Sequence, residues 1–408
     1  MHTVIVIGGG AAGMFAAYSA ATVNSNSRVI LVEKNEKLGK KLYITGKGRC
    51  NLTNNVPVYE FLNNVIGNPK FLYSALTEFS PDDVMRFFED NGCTLKTERG
   101  NRVFPVSDKA SDITKTLQKA LVKSGVEIML NTNVLNIKTE NGQIVGVQTE
   151  SELLPCDSVI VCTGGLSYPL TGSTGDGYMF AKSAGHNIVD LKPSLSGLEL
   201  CGTDFITAQG VSLKNVAITV LSGDKAIYKD FGEMLFTHYG VSGPIILSAS
   251  CVINRAKTNN LTLKIDLKPA ISDKILDDRL LREIESAKLK TVSNVMRALL
   301  PQSLIRIILS VASISAEKRC CDLTKNDRLN LVASLKNLTF QIKGLRPIEE
   351  AIVTAGGISV KEINPKTMES KLVKGLFFAG EVLDVDAYTG GFNIQIAFST
   401  GYVAGKNA

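Results

Sequence analysis

A cluster of glycines near the start of the sequence has the spacing of a site that holds a diphosphate. Gly8, Gly10 and Gly13 follow an apolar run at residues 3–7, and Ala11 and Ala12 stand between them. The first glycine permits a tight turn, the second lets the backbone approach a pyrophosphate, and the third lets a helix pack closely on a strand. The free N–H groups and the positive dipole end at the start of that helix stabilise phosphate charge. The spacing therefore predicts a dinucleotide site at these five residues.

An acidic residue stands where such a site needs one. Glu33 directly follows a second apolar run, residues 28–32, and lies about 20 residues beyond the last glycine, where a carboxylate can accept the ribose hydroxyls of an adenosine. A glycine-rich turn without a ligand would explain the glycines but not the acid. We therefore interpret the stretch as nucleotide-binding.

A second stretch, residues 36–54, combines glycines with basic and amide side chains. Its members are Gly39, Gly46, Gly48, Lys40, Lys41, Lys47, Arg49, Thr45, Asn51, Thr53 and Asn54. Such a composition suits a loop that wraps around a phosphate and a polar ring. The alternative is a solvated basic loop, which would not need so many glycines beside amides and hydroxyls.

Two later stretches show the same pattern as the first, an apolar run followed by glycines. An apolar run at residues 158–162 leads into Thr163 and Gly164, and a glycine-rich loop at 171–177 precedes a helix. Near the end, an apolar run leads into Gly380 and Glu381, and a glycine turn at 389–391 opens a last helix. That helix start could stabilise negative charge at the far end of a long cofactor.

Apolar periodicity predicts the elements that position these residues. Helical spacing predicts two helices over 61–91, the second capped by Ser80, and a helix over 108–123. Short strands are expected at 126–130, 134–139 and 144–149, with Asn141 and Gly142 as a hairpin turn. After residue 193, runs in which apolar and polar residues alternate predict strands, including 226–229 and 233–237. Helical patterns occupy 272–335. The sequence thus predicts an insertion that is first β and then α.

The composition excludes several classes of protein. The chain has 408 residues, 44% hydrophobic and 21% charged, which provides for a large core and more than one domain. No apolar run approaches the roughly 20 residues of a membrane span, and the N-terminus lacks the basic region of a signal peptide. The eight cysteines form no C-x-x-C pair, which argues against a zinc site. We expect a cytoplasmic protein with reduced thiols, no metal and no membrane association.

Together these motifs resemble those of bacterial flavoproteins of the aminoacetone oxidase and bile-acid-inducible 3-dehydro-bile-acid reductase type. The resemblance rests on residues 8–13, 33, 46–54, 163–177, 380–384 and 389–393, and it covers the whole chain. It implies an α/β fold with a discontinuous, Rossmann-like FAD-binding domain at 1–190 and 345–408. The insertion would be a β-barrel-like domain at 191–270 and a helical subdomain at 271–344.

The resemblance also implies which residues bind FAD. Those expected at the pyrophosphate, the ribose and the adenine are Gly8, Gly10, Ala11, Ala12, Gly13, Glu33 and Val134, and Lys34 and Lys41 are counted with them. Those expected along the diphosphate and the ring side are Arg49, Cys50, Asn51 and Thr53. Those expected to close the site, or to lie at the pyrimidine end of the ring, are Thr163, Gly164, Gly380, Glu381, Asp384, Gly391, Phe392, Asn393 and Ile394. Cys50 could tether the flavin covalently or could simply be a small packing residue.

Our leading hypothesis is an NAD(P)H-linked reductase. No second G-x-G-x-x-G stretch occurs, so NAD(P)H would bind only transiently. The flavin would pass a hydride from N5 to the β-carbon of a C=C bond conjugated with a carbonyl, and the resemblance points to a 3-oxo-Δ4 bile acid or similar steroid enone. Tyr168, His238 and Tyr388 are candidates to polarise the carbonyl oxygen or to protonate the α-carbon. His2 and His186 are not nominated.

Three alternatives stay open. The uracil C5=C6 bond is also conjugated with a carbonyl, and some members of the wider family resemble ribosomal-RNA dihydrouridine-forming enzymes. The formal charge of +6 permits RNA binding, and the basic residues of the helical stretch are Lys288, Lys290, Arg297, Arg306, Lys318 and Arg319. The second alternative is an O2-dependent oxidase of a small amine such as aminoacetone. The third is a flavin-holding protein without turnover.

Overall fold

The apolar, β-branched runs of the N-terminal part form strands, and the periodic stretches between them form helices. The computed structural model describes residues 1–23, 26–257 and 260–408. The strands up to residue 194 are β1 (Thr3–Ile7), β2 (Arg28–Val32), β3 (Thr53–Asn54), β4 (Leu95–Glu98), β5 (Arg102–Pro105), β6 (Glu127–Met129), β7 (Val134–Glu140), β8 (Gln143–Thr149), β9 (Leu153–Pro155), β10 (Ser158–Val161) and β11 (Ile188–Ser194). The helices are α1 (Ala11–Val23), α2 (Lys40–Ile44), α3 (Val58–Leu62), α4 (Pro69–Glu78), α5 (Pro81–Asp90), α6 (Ala110–Lys123) and α7 (Asp176–Ser183).

The remaining elements belong to the insertion and to the later segment that completes the first part. The insertion contains β12 (Leu198–Leu200), β13 (Ser212–Ser222), β14 (Lys225–Phe236), β15 (Gly240–Ser242), α8 (Pro244–Ile253), β16 (Leu261–Asp266), α9 (Asp273–Ser286), α10 (Val292–Met296), α11 (Gln302–Val311), α12 (Lys325–Lys336) and β17 (Leu338–Leu345). The later segment contains β18 (Val353–Ile358), β19 (Leu376–Phe378) and α13 (Phe392–Asn407).

A five-stranded parallel sheet lies at the centre of the first part, in the order β19-β10-β1-β2-β6. Val4, Ile5 and Val6 of the middle strand have no exposed surface, as expected for a parallel sheet covered on both faces. Because all five strands run in the same direction, their carboxyl ends meet at one edge. The glycine turn after β1, Glu33 after β2, Thr163 after β10 and Gly380 after β19 therefore share that edge, where open α/β sheets bind ligands.

Helix α13 packs along α1, the helix that opens the glycine turn. Small residues allow this approach: a Cβ on Gly401 would lie 2.2 Å from the Ala12 carbonyl oxygen, and one on Gly405 would lie 2.0 Å from that of Ala16. The last helix of the chain thus packs directly on the first.

The chain forms two units with separate hydrophobic cores. One unit joins Met1–Ser194 with Ile348–Ala408, and the other is Leu195–Pro347. The chain leaves and re-enters the first unit along the antiparallel pair of β11 and β18, in which Ser194 lies opposite Val353.

The second unit is a closed six-stranded barrel in the order β12-β15-β14-β13-β16-β17, with helices in the same unit. Strand β17 lies almost entirely in the range 271–344 that we predicted to be a helical subdomain, and it pairs with β12 and β16 in the barrel. The runs predicted at 226–229 and 233–237 belong to one strand, β14, which ends at Phe236.

Most of the other predicted elements lie near their predicted positions. The stretch 61–91 overlaps three helices instead of two, and Ser80 and Asp83 form the reciprocal capping box at the start of α5. Asn141 and Gly142 connect β7 to β8 in a hairpin, with Glu140 opposite Gln143.

Candidate functional site

The turn between β1 and α1 is tight and has an open side. Gly8 has φ +101°, and a Cβ there would lie 2.6 Å from the Cys162 carbonyl oxygen. A Cβ on Gly13 would lie 1.8 Å from the Gly8 carbonyl oxygen, whereas one on Gly10 would meet no atom within 4 Å. The backbone at Gly10 can therefore be approached from outside. The first N–H groups of α1, from Ala11 onward, have no partner within the helix, because every α-helix leaves its first donors unpaired.

Glu33 lies beside this turn and is 8% exposed. Its Oε2 accepts a hydrogen bond from the Gly9 N–H at 2.7 Å, and its Oε1 accepts from the N–H and the side-chain Nδ2 of Asn35. An ionised carboxylate oxygen has two lone-pair sites. Oε2 therefore keeps capacity for a ribose hydroxyl while the protein fixes its position.

Arg49 has two carboxylate partners within the first unit. Its Nε donates to Asp108 Oδ1 at 2.7 Å, its second terminal nitrogen donates to Glu98, and the guanidinium lies 4.1 Å from the centre of the Phe104 ring. These contacts raise the pKa of Arg49, chiefly through the hydrogen bond to Glu98. We infer that Arg49 fixes the shape of the loop at 46–51, and its contact with a diphosphate stays a prediction.

Cys50 is enclosed by protein. Its exposure is 0% and its φ is +59°. Burial raises the pKa of the thiol to about 12, with a smaller contribution from Cys93. The thiol is therefore protonated near neutral pH, which fits a packing residue better than a nucleophile or a tether.

The loop at 51–54 meets the first turn of α13. Gly391 has φ +97°, and a Cβ there would lie 2.4 Å from the Thr53 carbonyl oxygen and 3.0 Å from Asn51 Oδ1. Asn51 Oδ1 is buried and has no hydrogen-bond partner among the described residues. Phe392 packs edge-on against Phe61. An acceptor without a donor thus lies beside a helix start that presents free N–H groups.

The turn before α13 is held by two amides. Asn393 Oδ1 accepts from the Ala387 N–H at 2.9 Å, and its Nδ2 donates to the Ala387 carbonyl at 2.8 Å. Asn54 Nδ2 donates to the Gly390 carbonyl at 2.9 Å. Ile394, the next residue of the helix, is half-buried.

Lys34 and Lys41 hold the segments after β10. Lys34 Nζ lies 2.6 Å from Asp176 Oδ2, and Lys41 Nζ lies 2.7 Å from Glu381 Oε2 and 2.6 Å from Ser167 Oγ. Both lysines are partly buried. They pin the loop at 164–177 to other parts of the unit, and a direct contact with FAD stays a prediction for both.

The sequence pattern did not identify Ser167 and Thr354, which share this network. Ser167 Oγ donates to Glu381 Oε1 at 2.9 Å, and the Thr354 N–H donates to the same oxygen at 2.9 Å. Thr354 Oγ1 accepts from the N–H groups of Leu166 and Ser167. Short polar side chains beside paired glycines, at 163–167 and 354–357, were the available signal.

The remaining predicted FAD residues lie at the same sheet edge or near it. Thr163 Oγ1 is buried without a partner in the described part of the chain, and Gly164 has φ +75°. The Gly380 N–H donates to Thr400 Oγ1, and a Cβ on Gly380 would lie 2.8 Å from that of Ala12. Asp384 accepts from Asn68 Nδ2 at 2.9 Å. Val134 begins β7, where it pairs with Thr149.

The three predicted catalytic residues fall in different units. Tyr168 and Tyr388 are half-buried in the first unit, and their N–H groups donate to the carbonyls of Glu349 and Asn64. Burial, with a smaller contribution from Glu350, raises the pKa of Tyr168. His238 is exposed in the second unit, with its ring 5.0 Å from that of Tyr239.

The first unit therefore has features that fit FAD. Gly10 leaves room for a diphosphate, Glu33 keeps capacity for a ribose, and Asn51 Oδ1 and Thr163 Oγ1 are buried polar atoms without a protein partner. The described residues include no group of three or more His, Cys, Asp or Glu side chains suited to a metal ion. They also include no helix that is long and apolar enough to cross a membrane.

Comparisons with known proteins agree with this geometry. The model of the HI0933-like protein Rossmann domain matches residues 2–407. The chain is 30% identical over 410 residues to the 3-dehydro-bile acid delta(4,6)-reductase of Clostridium scindens, covering 100% of this chain and 99% of that protein. It is 32% identical over 404 residues to a ribosomal RNA dihydrouridine synthase of Haemophilus influenzae, covering 98% and 96%.

A solved structure supports the fold. The 3-ketosteroid-delta4-(5alpha)-dehydrogenase of Rhodococcus jostii superimposes with a TM-score of 0.52 at 14% identity, covering 100% of this chain and 96% of that one. At that identity the likeness concerns the fold alone.

Proposed function

The chain belongs to the HI0933-like family of Rossmann-fold, FAD-dependent oxidoreductases, and we propose that it is an NAD(P)H-linked reductase of a C=C bond conjugated with a carbonyl. The substrate class is a 3-oxo-Δ4 bile acid or similar steroid enone. The full-length relative named as a bile acid reductase supports this choice. Bound FAD supplies the hydride chemistry, and the residues of the chain bind, orient and protonate.

The observation that carries the substrate class is the loop at 164–172. It is anchored by Thr354 Oγ1, by the Glu349 carbonyl and by the Asn35 side chain, which donates to the Thr171 carbonyl. Yet it leaves Leu170 91% exposed. We propose that Leu170 provides an apolar contact for the substrate, because binding sites for apolar ligands are lined largely by apolar groups.

Tyr168 lies on the same loop and is our proposed hydrogen-bond donor to the substrate carbonyl. Because burial raises its pKa, the phenol keeps its proton at neutral pH. A hydrogen-bond donor at this position would stabilise the charge that develops on a carbonyl oxygen. Tyr388, in the same unit as the predicted FAD residues, remains the candidate for protonating the α-carbon.

Anaerobic mixing tests the proposal. We expect NADH or NADPH to bleach the oxidised flavin absorbance, and a 3-oxo-Δ4 steroid to restore it. Tyr168→Phe should slow the second step by about 10²-fold or more, as loss of one such donor does elsewhere, and should leave the first step unchanged. Tyr59→Phe, at a residue 73% exposed, is the matched control. Bleaching by aminoacetone but by neither nucleotide would refute the reductase and favour the oxidase.

A specific observation favours a second candidate, reduction of uracil in ribosomal RNA. Two segments of the second unit pair as a short ribbon, in which the N–H groups of Val292, Cys320 and Cys321 donate to the carbonyls of Lys318, Lys290 and Lys288. The basic side chains on this ribbon are Lys288, Lys290, Lys318 and Arg319. Lys318 pairs with Asp327, and the other three are exposed with no acidic partner among residues 1–23, 26–257 and 260–408.

A salt titration tests this candidate. Phosphate contacts release counterions, so RNA affinity should fall steeply with salt. The double variant Lys288→Gln with Lys290→Gln should reduce the slope of log affinity against log salt concentration by about one to two, because it removes up to two phosphate contacts. Lys257→Gln should leave that slope unchanged. Equal, salt-insensitive binding by all three proteins would remove this candidate.

A further inference from the structure

A buried glutamine in α13 is the most unexpected polar residue of the first unit. Gln395 has 0% exposure and stands between Ile394 and Ile396 on a helix that is largely enclosed. Burying an amide is unfavourable unless its hydrogen bonds are replaced. A leucine would fill the same space without that cost, so the amide is expected to hold something in place.

The contacts of Gln395 identify what it holds. Its Oε1 accepts from Thr53 Oγ1 at 2.5 Å, and its Nε2 donates to the Phe79 carbonyl at 3.2 Å and to Ser399 Oγ at 3.0 Å. Ser399 Oγ in turn donates to the same Phe79 carbonyl at 2.6 Å. One side chain thus joins α13, the end of α4 and the loop at 51–54.

The bond to Thr53 fixes the distance between two groups that could bind the FAD ring, the loop at 51–54 and the start of α13. The Thr53 carbonyl lies so close to Gly391 that a Cβ there would be 2.4 Å away, and the unpartnered Asn51 Oδ1 lies beside the same glycine. The free N–H groups of the first turn of α13 are donors, and Asn51 Oδ1 is an acceptor. A flavin ring carries carbonyl acceptors next to an N–H donor on its pyrimidine edge, which is the complementary set.

We propose that Gln395 is a positioning residue for the FAD ring: through Thr53 it holds the Asn51 acceptor and the helix donors of α13 at the separation that binds the pyrimidine edge. Gln395 itself need not touch the cofactor. The inference depends on FAD binding and not on which substrate is reduced.

Three variants separate this role from simple stabilisation of the core. Gln395→Leu removes every bond of the amide at similar volume, and Thr53→Val removes the same key bond from the other side. Ser399→Ala is the matched control, because it opens the same buried network but leaves the bond between Thr53 and Gln395 intact.

The readouts are the FAD dissociation constant, the reduction potential and the thermal unfolding midpoint of the apoprotein. We expect all three variants to lower the midpoint. Gln395→Leu and Thr53→Val should weaken FAD binding at least tenfold and shift the potential to more negative values, because the helix donors then stabilise the reduced ring less well. Ser399→Ala should keep the FAD dissociation constant within twofold of the wild type and leave the reduction potential unchanged.

Two results would overturn the proposal. One is a Gln395→Leu protein that binds FAD with the affinity and potential of Ser399→Ala, which would make the glutamine a structural residue only. The other is a Thr53→Val protein with wild-type FAD affinity, which would remove the link between the amide and the cofactor. If a variant fails to fold, the remaining one decides the matter by the same comparison.

Discussion

Burial sets the protonation state of several side chains in the first unit. Cys50 and His186 are enclosed, with exposures of 0% and 4%, and burial disfavours the charged form of each. The thiol therefore stays protonated and the imidazole stays neutral near pH 7. Each state has a measurable consequence.

Cys50 should resist alkylation in the folded protein. Because its pKa is raised to about 12, little thiolate exists at pH 8, and the reagent has no access to a side chain with 0% exposure. We expect iodoacetamide to label the exposed Cys201 and Cys321 first, as read by peptide mass spectrometry. Denatured protein, in which Cys50 should react as fast as the others, is the control. Early labelling of Cys50 in native protein would contradict this expectation.

Acid should destabilise the protein through His186. Ser370 Oγ accepts from the N–H groups of Leu372 and Val373, so its own proton points to His186 Nε2 at 2.8 Å, and Nδ1 faces Glu362 at 3.2 Å. If Nε2 were protonated, its N–H and the Ser370 hydroxyl would both be donors, and the hydrogen bond between them would be lost. Burial lowers the pKa of His186 in the folded state, against the opposing effect of Glu362.

The sign of the pH dependence follows from that shift. Below about pH 6.5, the ordinary value for histidine, the unfolded chain binds more protons than the folded one, so stability falls as the pH falls. Thermal unfolding between pH 7.5 and 5.5 should show this loss. His186→Gln, whose amide can mimic the neutral ring, should flatten the curve, and an unchanged slope in that variant would exclude His186 as the cause.

At the scale of elements, α13 combines small residues that allow packing with polar residues that hold loops. Gly401 and Gly405 face the backbone of α1, and Gln395 and Thr400 reach Thr53 and Gly380. The helix therefore connects the glycine turn at one end of the predicted cofactor to the ring end.

A methyl group on Gly405 should separate α13 from α1. The added Cβ would lie 2.0 Å from the Ala16 carbonyl oxygen, which requires movement of backbone. We expect Gly405→Ala to lower the free energy of unfolding by about 1–3 kcal/mol, the usual cost of overpacking, measured by urea denaturation. Gly344→Ala is the control, because a Cβ there meets no atom within 4 Å and the change should be small. Equal effects of the two substitutions would contradict the packing argument.

Local rules account for the parts of the site that the sequence could predict. The positions of Gly8, Gly10, Gly13 and Glu33 follow from the geometry of one strand, one turn and one helix. The partners of Lys41 and Arg49 could not be predicted in this way, because Glu381 is 340 residues from Lys41, and Asp108 is 59 from Arg49. The choice of partner among many charges depends on tertiary packing. Strand β17 was missed for a similar reason, since its pairing partners β12 and β16 are far away along the chain.

At the scale of the whole molecule, two separate cores favour two folding units. Ser194 lies opposite Val353 in the pair of β11 and β18, and paired Cα atoms in antiparallel strands are about 4.5–5.5 Å apart. The first unit can therefore be closed by a short connection.

Replacing residues 195–347 by a short Gly/Ser linker should leave a folded, yellow protein. The residues proposed to bind FAD all lie in the first unit, whose core is separate from that of the second. We expect near-stoichiometric FAD after gel filtration, measured by absorbance. The full-length chain is the control. A folded but colourless deletion protein would show that FAD binding needs the second unit.

The packing of α13 on α1 also has a consequence during synthesis. The glycine turn is synthesised well before its packing partner and the donors at Gly391. At about 5–20 residues per second, roughly 20 to 80 s separate the two. During that interval a nascent chain would hold only part of the predicted nucleotide site, and uptake of the flavin would report that α13 has docked on α1.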